Sequence, residues 1–150
     1  MDEPIPPNAL PPEMAEMLLR MAREARGHAY APYSRFPVGA ALLTQAGEIY
    51  TGCNIENASF GLTICAERTA VAKAVSEGAR SFRAIAVVGP QDELPCSPCG
   101  SCRQVLYEFG PELQVITPSG EGGEPQVEPI ATLLPRAFGP ARLQPTGMRE

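Results

Sequence analysis

A chain of 150 residues with a net charge of −5 is long enough for one domain with its own core. The acidic charge excludes nucleic acid as the expected partner, since proteins that bind phosphate backbones usually present a basic surface. The chain has five cysteines, no N-terminal signal segment and no apolar run near the roughly 20 residues of a membrane span. These features predict a cytoplasmic protein without membrane contact, whose cysteines are free or bind metal.

The first predicted element is an amphipathic helix behind a proline-rich leader. Residues 1–12 include five prolines and are predicted to be flexible. From Glu13 to Arg26 apolar residues recur at three- and four-residue steps, which predicts a helix that ends near Gly27. His28, the only histidine, is assigned to an exposed helix end rather than to a ligand role.

Two strands joined in a hairpin are predicted next. Residues 36–44 are largely apolar, residues 45–48 have the composition of a turn, and residues 49–55 form the returning strand. At its end, alternation places Asn54 and Glu56 on the same side. An amide and a carboxylate there can bind a sugar hydroxyl, or they can simply face water.

The rest of the chain alternates between helices and strands. The predicted elements are a helix over 65–78, a strand over 84–88, a helix capped by Ser97 and ending at Gly110, a strand over 113–117, a loop over 118–129 and a helical turn over 130–134. This order predicts an α/β fold with a mixed sheet. We expect a single domain over residues 13–140 and a tail over residues 141–150.

Three cysteines and one glutamate have the spacing of a catalytic metal site. Cys99 and Cys102 are two residues apart, which lets both thiolates bind one tetrahedral zinc ion, and Cys65 can supply a third thiolate. Three protein ligands leave one coordination position open for water, as catalytic zinc sites do. Glu67 lies close to Cys65 but is poorly placed as a ligand. We therefore expect it to carry protons from the attacking water to a ring nitrogen and a departing amine.

Three thiolates would give a zinc site an excess of negative charge. That charge would raise the pKa of the water and weaken its activation unless something positive offsets it. Both cysteine motifs fall where a helix is predicted to begin, so the positive ends of two helix dipoles would face the thiolates. Arg68 and Arg103 each follow a motif residue directly and are candidates to donate hydrogen bonds to the sulfurs.

Over residues 33–139 the sequence resembles the small homotetrameric cytidine deaminases, which are zinc enzymes of the three-cysteine type. The matching segments are YSRFPVGAAL at 33–42, GCNIENA at 52–58, CAERTA at 65–70, SPCGSCRQ at 97–104 and LPRAFGP at 134–140. The resemblance implies a three-layer α-β-α sandwich that binds one Zn²⁺ per subunit. It implies hydrolysis of cytidine and 2′-deoxycytidine to uridine and 2′-deoxyuridine with release of ammonia, a reaction of pyrimidine salvage.

The resemblance also assigns roles to individual residues. It implies zinc on Cys65, Cys99 and Cys102 and proton transfer by Glu67. The substrate-binding residues that it implies are Phe36 against the pyrimidine, Asn54 and Glu56 at the ribose, the Ala66 backbone at the base edge, and Phe138 from a neighbouring subunit of the homotetramer. One departure is Phe60, where many members have a tyrosine, so a hydroxyl that could bind the ribose is missing.

Two other interpretations of the motifs stay open at this point. Cys96 forms a Cys-x2-Cys-x2-Cys run with Cys99 and Cys102, and Cys65 or Cys53 could complete an iron–sulfur or structural zinc site. Such a site has no need of Glu67, Asn54 or Glu56.

Alternatively, a related deaminase could act on an aminopyrimidine antibiotic. That group shares the cysteine motifs but lacks the Asn-Ile-Glu-Asn segment at 54–57.

Overall fold

The helices and strands of the chain are taken from a computed structural model that describes residues 9–120 and 123–143. In chain order they are α1 (Pro12–Arg26), β1 (Gly39–Thr44), β2 (Ile49–Cys53), α2 (Ala66–Ser76), β3 (Phe82–Val88), α3 (Gly100–Phe109), β4 (Gln114–Thr117), β5 (Gln126–Pro129) and α4 (Ile130–Leu133). The predicted leader lies outside the described residues up to residue 8, and the predicted tail from residue 144 onward. Pro12 already belongs to α1, because proline suits the first helical turn. None of the helices in the described ranges is long and apolar enough to cross a membrane.

The strands form one mixed sheet in the order β2-β1-β3-β4-β5, which confirms the predicted α/β architecture. β3 and β4 run parallel, and the other neighbours are antiparallel. The first two strands are shorter than predicted: β1 begins at Gly39 and β2 ends at Cys53. Beyond these ends, one main-chain hydrogen bond joins Asn54 to Val38, and the Asn54 side chain makes the other bonds, to the backbone of Phe36 and Val38.

The predicted loop over residues 118–129 contains a strand, so this prediction is wrong in part. Within it, β5 pairs with β4 from Pro129 opposite Gln114 to Gln126 opposite Thr117. Residues 121–122 of the loop lie outside the described residues. No apolar pattern marks β5, because its side chains are mostly exposed. It lies at the sheet edge, where a terminal proline is tolerated.

Helices cover both faces of the sheet. On one face α1 packs Leu18 against alternate residues of the sheet, among them Ala41 and Leu43 of β1. On the other face α2 and α3 pack against the intervening residues, among them Ala40 and Leu42. The period-2 alternation of a buried strand thus supplies two separate cores. This arrangement confirms the three-layer α-β-α sandwich.

A close approach between β2 and α2 fixes the start of the helix that carries the candidate site. A Cβ atom on Gly52 would lie 2.5 Å from the Ala66 carbonyl oxygen and 2.5 Å from the Ala70 nitrogen. Only glycine therefore lets the helix backbone rest directly on the strand at this point. The alanines at 66, 70 and 74 are buried in the same contact region, as expected for a helix packed closely on a sheet.

Candidate active site

Three cysteine sulfurs meet where two helices begin. Cys65 is the N-cap residue of α2, Cys99 is the N-cap residue of α3, and Cys102 lies in the first turn of α3. Their Sγ atoms all lie within 4.8 Å of one another. Cys102 is buried, Cys65 is half-buried and Cys99 is exposed. Helix α3 therefore begins two residues later than predicted. Ser97 does not cap it: its hydroxyl accepts a hydrogen bond from Arg103 instead.

The donor set fits zinc. Three sulfurs each about 2.3 Å from one tetrahedral ion lie about 3.8 Å apart, within the spread found here. The thiols lie at the N-termini of two helices, so the positive ends of both helix dipoles are close to them, as predicted. Within the described ranges Cys96 and Cys53 are not part of this group. The geometry therefore favours the Cys65, Cys99 and Cys102 site over the alternative Cys-x2-Cys-x2-Cys site built on Cys96.

The electrostatics of the cluster favour a cation. Burial raises the pKa of the Cys102 thiol, and the negative charges of Glu67 and Cys65 raise it further. Burial also acts to raise the pKa of Cys99, but hydrogen bonds from the backbone and thiol of Cys102 lower it on balance. This concentration of sulfur and carboxylate groups favours binding of a cation between the thiols.

Glu67 is buried beside the thiols, with 4% of its surface exposed. Burial raises the pKa of this carboxyl group, while its own backbone N–H, the Cys102 side chain and the Arg68 charge act in the opposite direction. A buried carboxyl whose pKa is raised gains a proton more readily than usual, which suits it to taking up and releasing protons. It lies in the first turn of α2, two positions after Cys65.

Arg68 extends toward the first thiol. Its Nη2 donates to the Thr63 carbonyl oxygen at 3.2 Å and lies 3.7 Å from the Cys65 Sγ. The hydrogen bond to Cys65 raises the pKa of the guanidinium, with a smaller contribution from Cys102. Arg68 thus places a permanent positive charge against the thiol cluster, which is the contact that its sequence position predicts.

Arg103 bonds to oxygen atoms rather than to the sulfurs that its sequence position predicted. Its Nε donates to the Pro98 carbonyl oxygen at 2.8 Å, its Nη2 to the Ser97 hydroxyl at 2.9 Å, and its Nη1 to the Leu133 carbonyl oxygen at 2.7 Å. The guanidinium N–H groups that were expected to face a sulfur thus donate to these three oxygen atoms. Because Arg103 sits on α3 and reaches back over the residues before Cys99, it holds the shape of the ligand loop.

A cavity of about 610 Å³ opens beside the thiols. Its lining includes Phe36, Asn54 and Ala66 from the predicted substrate-binding set, together with Cys65, Glu67 and Cys99. The other lining residues, which the sequence analysis did not assign to substrate binding, are Ser34, Val38, Thr63, Cys96 and Ser97. A smaller adjoining cavity of about 330 Å³ is lined by Glu56 and Phe60 and shares Ser34 and Thr63 with the first. The tertiary structure therefore brings most of the predicted residues to one continuous region. Phe138 lies elsewhere.

The two polar residues after β2 hold the loop that carries Phe36. Asn54 is buried and accepts from the Val38 nitrogen at 2.9 Å. One oxygen of Glu56 accepts from the backbone nitrogens of Tyr33 and Ser34, at 3.0 and 3.1 Å. A side-chain hydrogen bond from Ser34 is the main reason that the pKa of Glu56 is lowered, so this carboxylate stays ionised. The loop contacts were missed because they join residues about 20 positions apart.

Comparisons with known proteins agree with this geometry. A family model described as the cytidine and deoxycytidylate deaminase zinc-binding region matches residues 12–117. The chain is 52% identical over 123 residues to a cytidine deaminase of Sporosarcina psychrophila, covering 82% of this chain and 90% of that protein. It is 51% identical over 123 residues to a cytidine deaminase of Halalkalibacterium halodurans, covering 82% of this chain and 92% of that protein.

Solved structures give the same result. The crystal structure of a cytidine deaminase from Burkholderia pseudomallei superposes with a TM-score of 0.75 at 50% identity, covering 82% of this chain and 98% of that one. The crystal structure of a cytidine deaminase from Mycobacterium tuberculosis superposes with a TM-score of 0.71 at 43% identity, covering 83% of this chain and 96% of that one.

Proposed function

The chain belongs to the cytidine and deoxycytidylate deaminase family, and we propose that it hydrolyses cytidine and 2′-deoxycytidine to uridine and 2′-deoxyuridine with release of ammonia. Zinc-dependent cytidine deamination is the activity that the family match, the curated relatives and the cysteine cluster support together. The reaction fits a place in pyrimidine salvage. The proposal extends to the 2′-deoxynucleoside as well as to cytidine.

One observation carries the proposal: three thiols within 4.8 Å of one another share a cavity with a buried carboxyl group. A structural metal site fills its coordination sphere with protein ligands and needs no acid or base nearby. Here Cys65, Cys99 and Cys102 would hold one Zn²⁺ per subunit, and Glu67 lines the cavity beside them. The arrangement is that of a site built to hydrolyse a small molecule.

Zinc held by the three thiolates would supply a Lewis acid that activates water for attack on the amino-bearing ring carbon. The protein's own contribution is proton transfer. Glu67 takes up the proton of the attacking water and returns protons to the ring nitrogen and to the departing amine. Burial favours this role because it raises the pKa of the Glu67 carboxyl. Arg68 and the two helix N-termini offset the charge of the thiolates.

The remaining cavity residues would hold the nucleoside. The Phe36 ring lines the cavity and offers a face for the pyrimidine, and the buried Ala66 at the start of α2 offers its backbone to the base edge. Asn54 has one amide hydrogen left, and the second carboxylate oxygen of Glu56 takes no part in the bonds to the backbone nitrogens of Tyr33 and Ser34. We assign these free groups to the ribose hydroxyls. The Asn-Ile-Glu-Asn segment is also what favours a nucleoside over an aminopyrimidine antibiotic.

We also assign the enzyme to the cytoplasm and to a homotetramer. The site requires three reduced thiols, which a reducing compartment maintains. Two exposed aromatic side chains, Tyr33 and Phe60, line the smaller cavity that adjoins the site. Patches of this kind usually mark contacts with another chain. Phe138 is exposed as well and would reach the site of a neighbouring subunit.

The test is deamination by the purified protein, followed as loss of ultraviolet absorbance, with cytidine, 2′-deoxycytidine and free cytosine compared. We expect turnover of both nucleosides but not of the free base, together with one zinc per chain by metal analysis. Turnover of cytosine at the nucleoside rate would contradict the sugar site. A zinc-loaded protein that deaminates neither nucleoside would contradict the proposed substrate.

A further inference from the structure

The segment that carries Phe138 is fixed to helix α3 by a side chain that has no part in the site described above. Gln104 is two residues beyond the ligand Cys102, and its Nε2 donates to the Phe138 carbonyl oxygen at 2.8 Å. Gln104 and Phe138 are 34 positions apart in the chain. The bond therefore depends on the tertiary structure and fixes the backbone at the aromatic residue itself.

A second contact holds the same segment one residue later. A Cβ atom on Gly139 would lie 2.5 Å from Cε1 of the Tyr107 ring, so the backbone at this glycine rests directly on the ring. Gln104 and Tyr107 are three residues apart on α3 and therefore lie on the same helix face. Just before the segment, Arg103 binds the Leu133 carbonyl oxygen. Helix α3 thus contacts Phe138 and Gly139 in this segment, and Leu133 just before it.

The Phe138 ring itself is exposed to solvent. Phe138 has 58% of its surface exposed, and among the described residues it does not line the cavity of its own chain. An aromatic ring held on a fixed backbone but left in solvent presents a large apolar surface with little conformational freedom to lose on binding. Such a ring is suited to contact another molecule.

We propose that Gln104 is a positioning residue that holds Phe138 for insertion into the nucleoside site of a second copy of the chain. This inference rests on the proposed function, in which Phe138 completes a neighbouring site. It assigns separate roles to two successive turns of α3. The first turn of the helix holds two ligands of the chain's own metal site, and the following turn holds the aromatic residue given to the neighbour.

The direct test is to remove the hydrogen bond without changing the size of the side chain. Gln104→Met should lower kcat/KM for cytidine about fivefold through KM, which is the effect of losing one ordinary hydrogen bond. The double variant Gln104→Met with Phe138→Ala should be no worse than Phe138→Ala alone, because Gln104 acts only through that ring. Gln114→Met is the matched control. Its amide donates to the Glu112 backbone, away from the C-terminal segment, and kcat/KM should not change.

A mixed assembly separates positioning from a general structural effect. One chain carries Phe138→Ala and the other Glu67→Gln, and the two are co-expressed with different affinity tags and purified by both. The Phe138→Ala chain, which keeps Glu67, then supplies the active site. The Glu67→Gln chain, which keeps Phe138, supplies the aromatic ring to that site. Adding Gln104→Met to the Glu67→Gln chain should lower activity about fivefold, whereas adding it to the Phe138→Ala chain should have no effect.

Two results would overturn the inference. One is equal loss of activity whichever chain carries Gln104→Met, with lower thermal stability or zinc content, since that would mark a structural role. The other is a mixed assembly no more active per working site than the pure Phe138→Ala enzyme, since Phe138 would then serve no second copy. An unsubstituted chain that deaminates no cytidine would refute the proposed function and this inference with it.

Discussion

Asn54 and Phe36 are joined by a 2.8 Å hydrogen bond from the Asn54 side-chain nitrogen to the Phe36 carbonyl oxygen. The Asn54 oxygen accepts from the Val38 nitrogen in turn, so one buried amide binds the backbone on both sides of Pro37. The residue expected to bind the sugar thus also fixes the loop that places the aromatic wall of the cavity. Substrate binding and loop geometry are therefore coupled at a single side chain.

The first prediction concerns this amide. Asn54→Asp replaces the donor with an oxygen that faces the Phe36 carbonyl, and it leaves both groups buried. We expect a loss of about 1–3 kcal/mol of unfolding free energy and a rise in KM of at least about tenfold. Thermal denaturation and steady-state kinetics would measure the two effects.

Asn57→Asp is the matched control for Asn54→Asp. The Asn57 oxygen accepts from the Ser59 nitrogen on the surface, and aspartate keeps that acceptor. Stability and KM should both stay close to those of the unsubstituted enzyme. Equal effects of the two substitutions would show that Asn54 has no special role.

The second prediction separates proton transfer from metal binding. Glu67→Gln keeps the shape of the buried side chain but removes its titratable proton. The variant should retain one zinc per chain and lose about 10²–10⁴-fold in kcat, the usual contribution of a general acid–base group. Metal analysis and single-turnover kinetics would test it. A rate near that of the unsubstituted enzyme would rule out the assigned role.

The third prediction concerns the charge beside the thiols. Arg68→Gln removes the guanidinium that contacts Cys65 and the Thr63 carbonyl. We expect kcat or zinc affinity to fall about 10–100-fold, as for other residues that support metal ligands. Arg80→Gln is the control, since Arg80 binds only carbonyl oxygens near the end of α2. A chelator competition assay and kinetics at saturating cytidine would separate the two readouts.

The fourth prediction concerns Arg103. Arg103→Lys cannot reproduce three hydrogen bonds that diverge from one planar group to Ser97, Pro98 and Leu133. The loss of at least one charge-assisted bond should lower the unfolding free energy by about 1.5–3 kcal/mol and speed the loss of zinc to a chelator. The kcat of fully loaded enzyme should change little. If kcat fell while zinc release stayed slow, Arg103 would act on the chemistry instead.

The fifth prediction distinguishes the cysteines. Cys99→Ser should abolish stoichiometric zinc, because Cys99 belongs to the thiol cluster. Cys96→Ser should keep one zinc per chain, since Cys96 lines the cavity without joining the cluster. Metal analysis of both purified variants, with the thermal unfolding midpoint of each, is sufficient. Loss of zinc in Cys96→Ser would support the alternative site, in which Cys96 is a metal ligand.

Local sequence determined most of the elements and the identity of the key residues. Apolar periodicity predicted each end of α1 and α2 to within two residues of its observed position. The pattern is local, because a helix face depends on neighbours three and four positions away. The Cys-x2-Cys spacing identified two ligands for the same reason: both lie on one turn of α3. The edge strand β5 was not predicted, because it forms by pairing with β4 and has no sequence pattern of its own.

The tertiary structure alone decided which distant groups meet. Sequence spacing allowed Cys96 or Cys65 as the third ligand, and packing of α2 and α3 on the same face of the sheet selected Cys65. It also turned Arg103 from the sulfurs to the ligand loop and left Phe138 outside its own cavity. Helix and strand patterns depend on interactions over a few residues. A metal site depends on distances of a few ångströms between residues far apart in the chain, and these are set only once the layers pack.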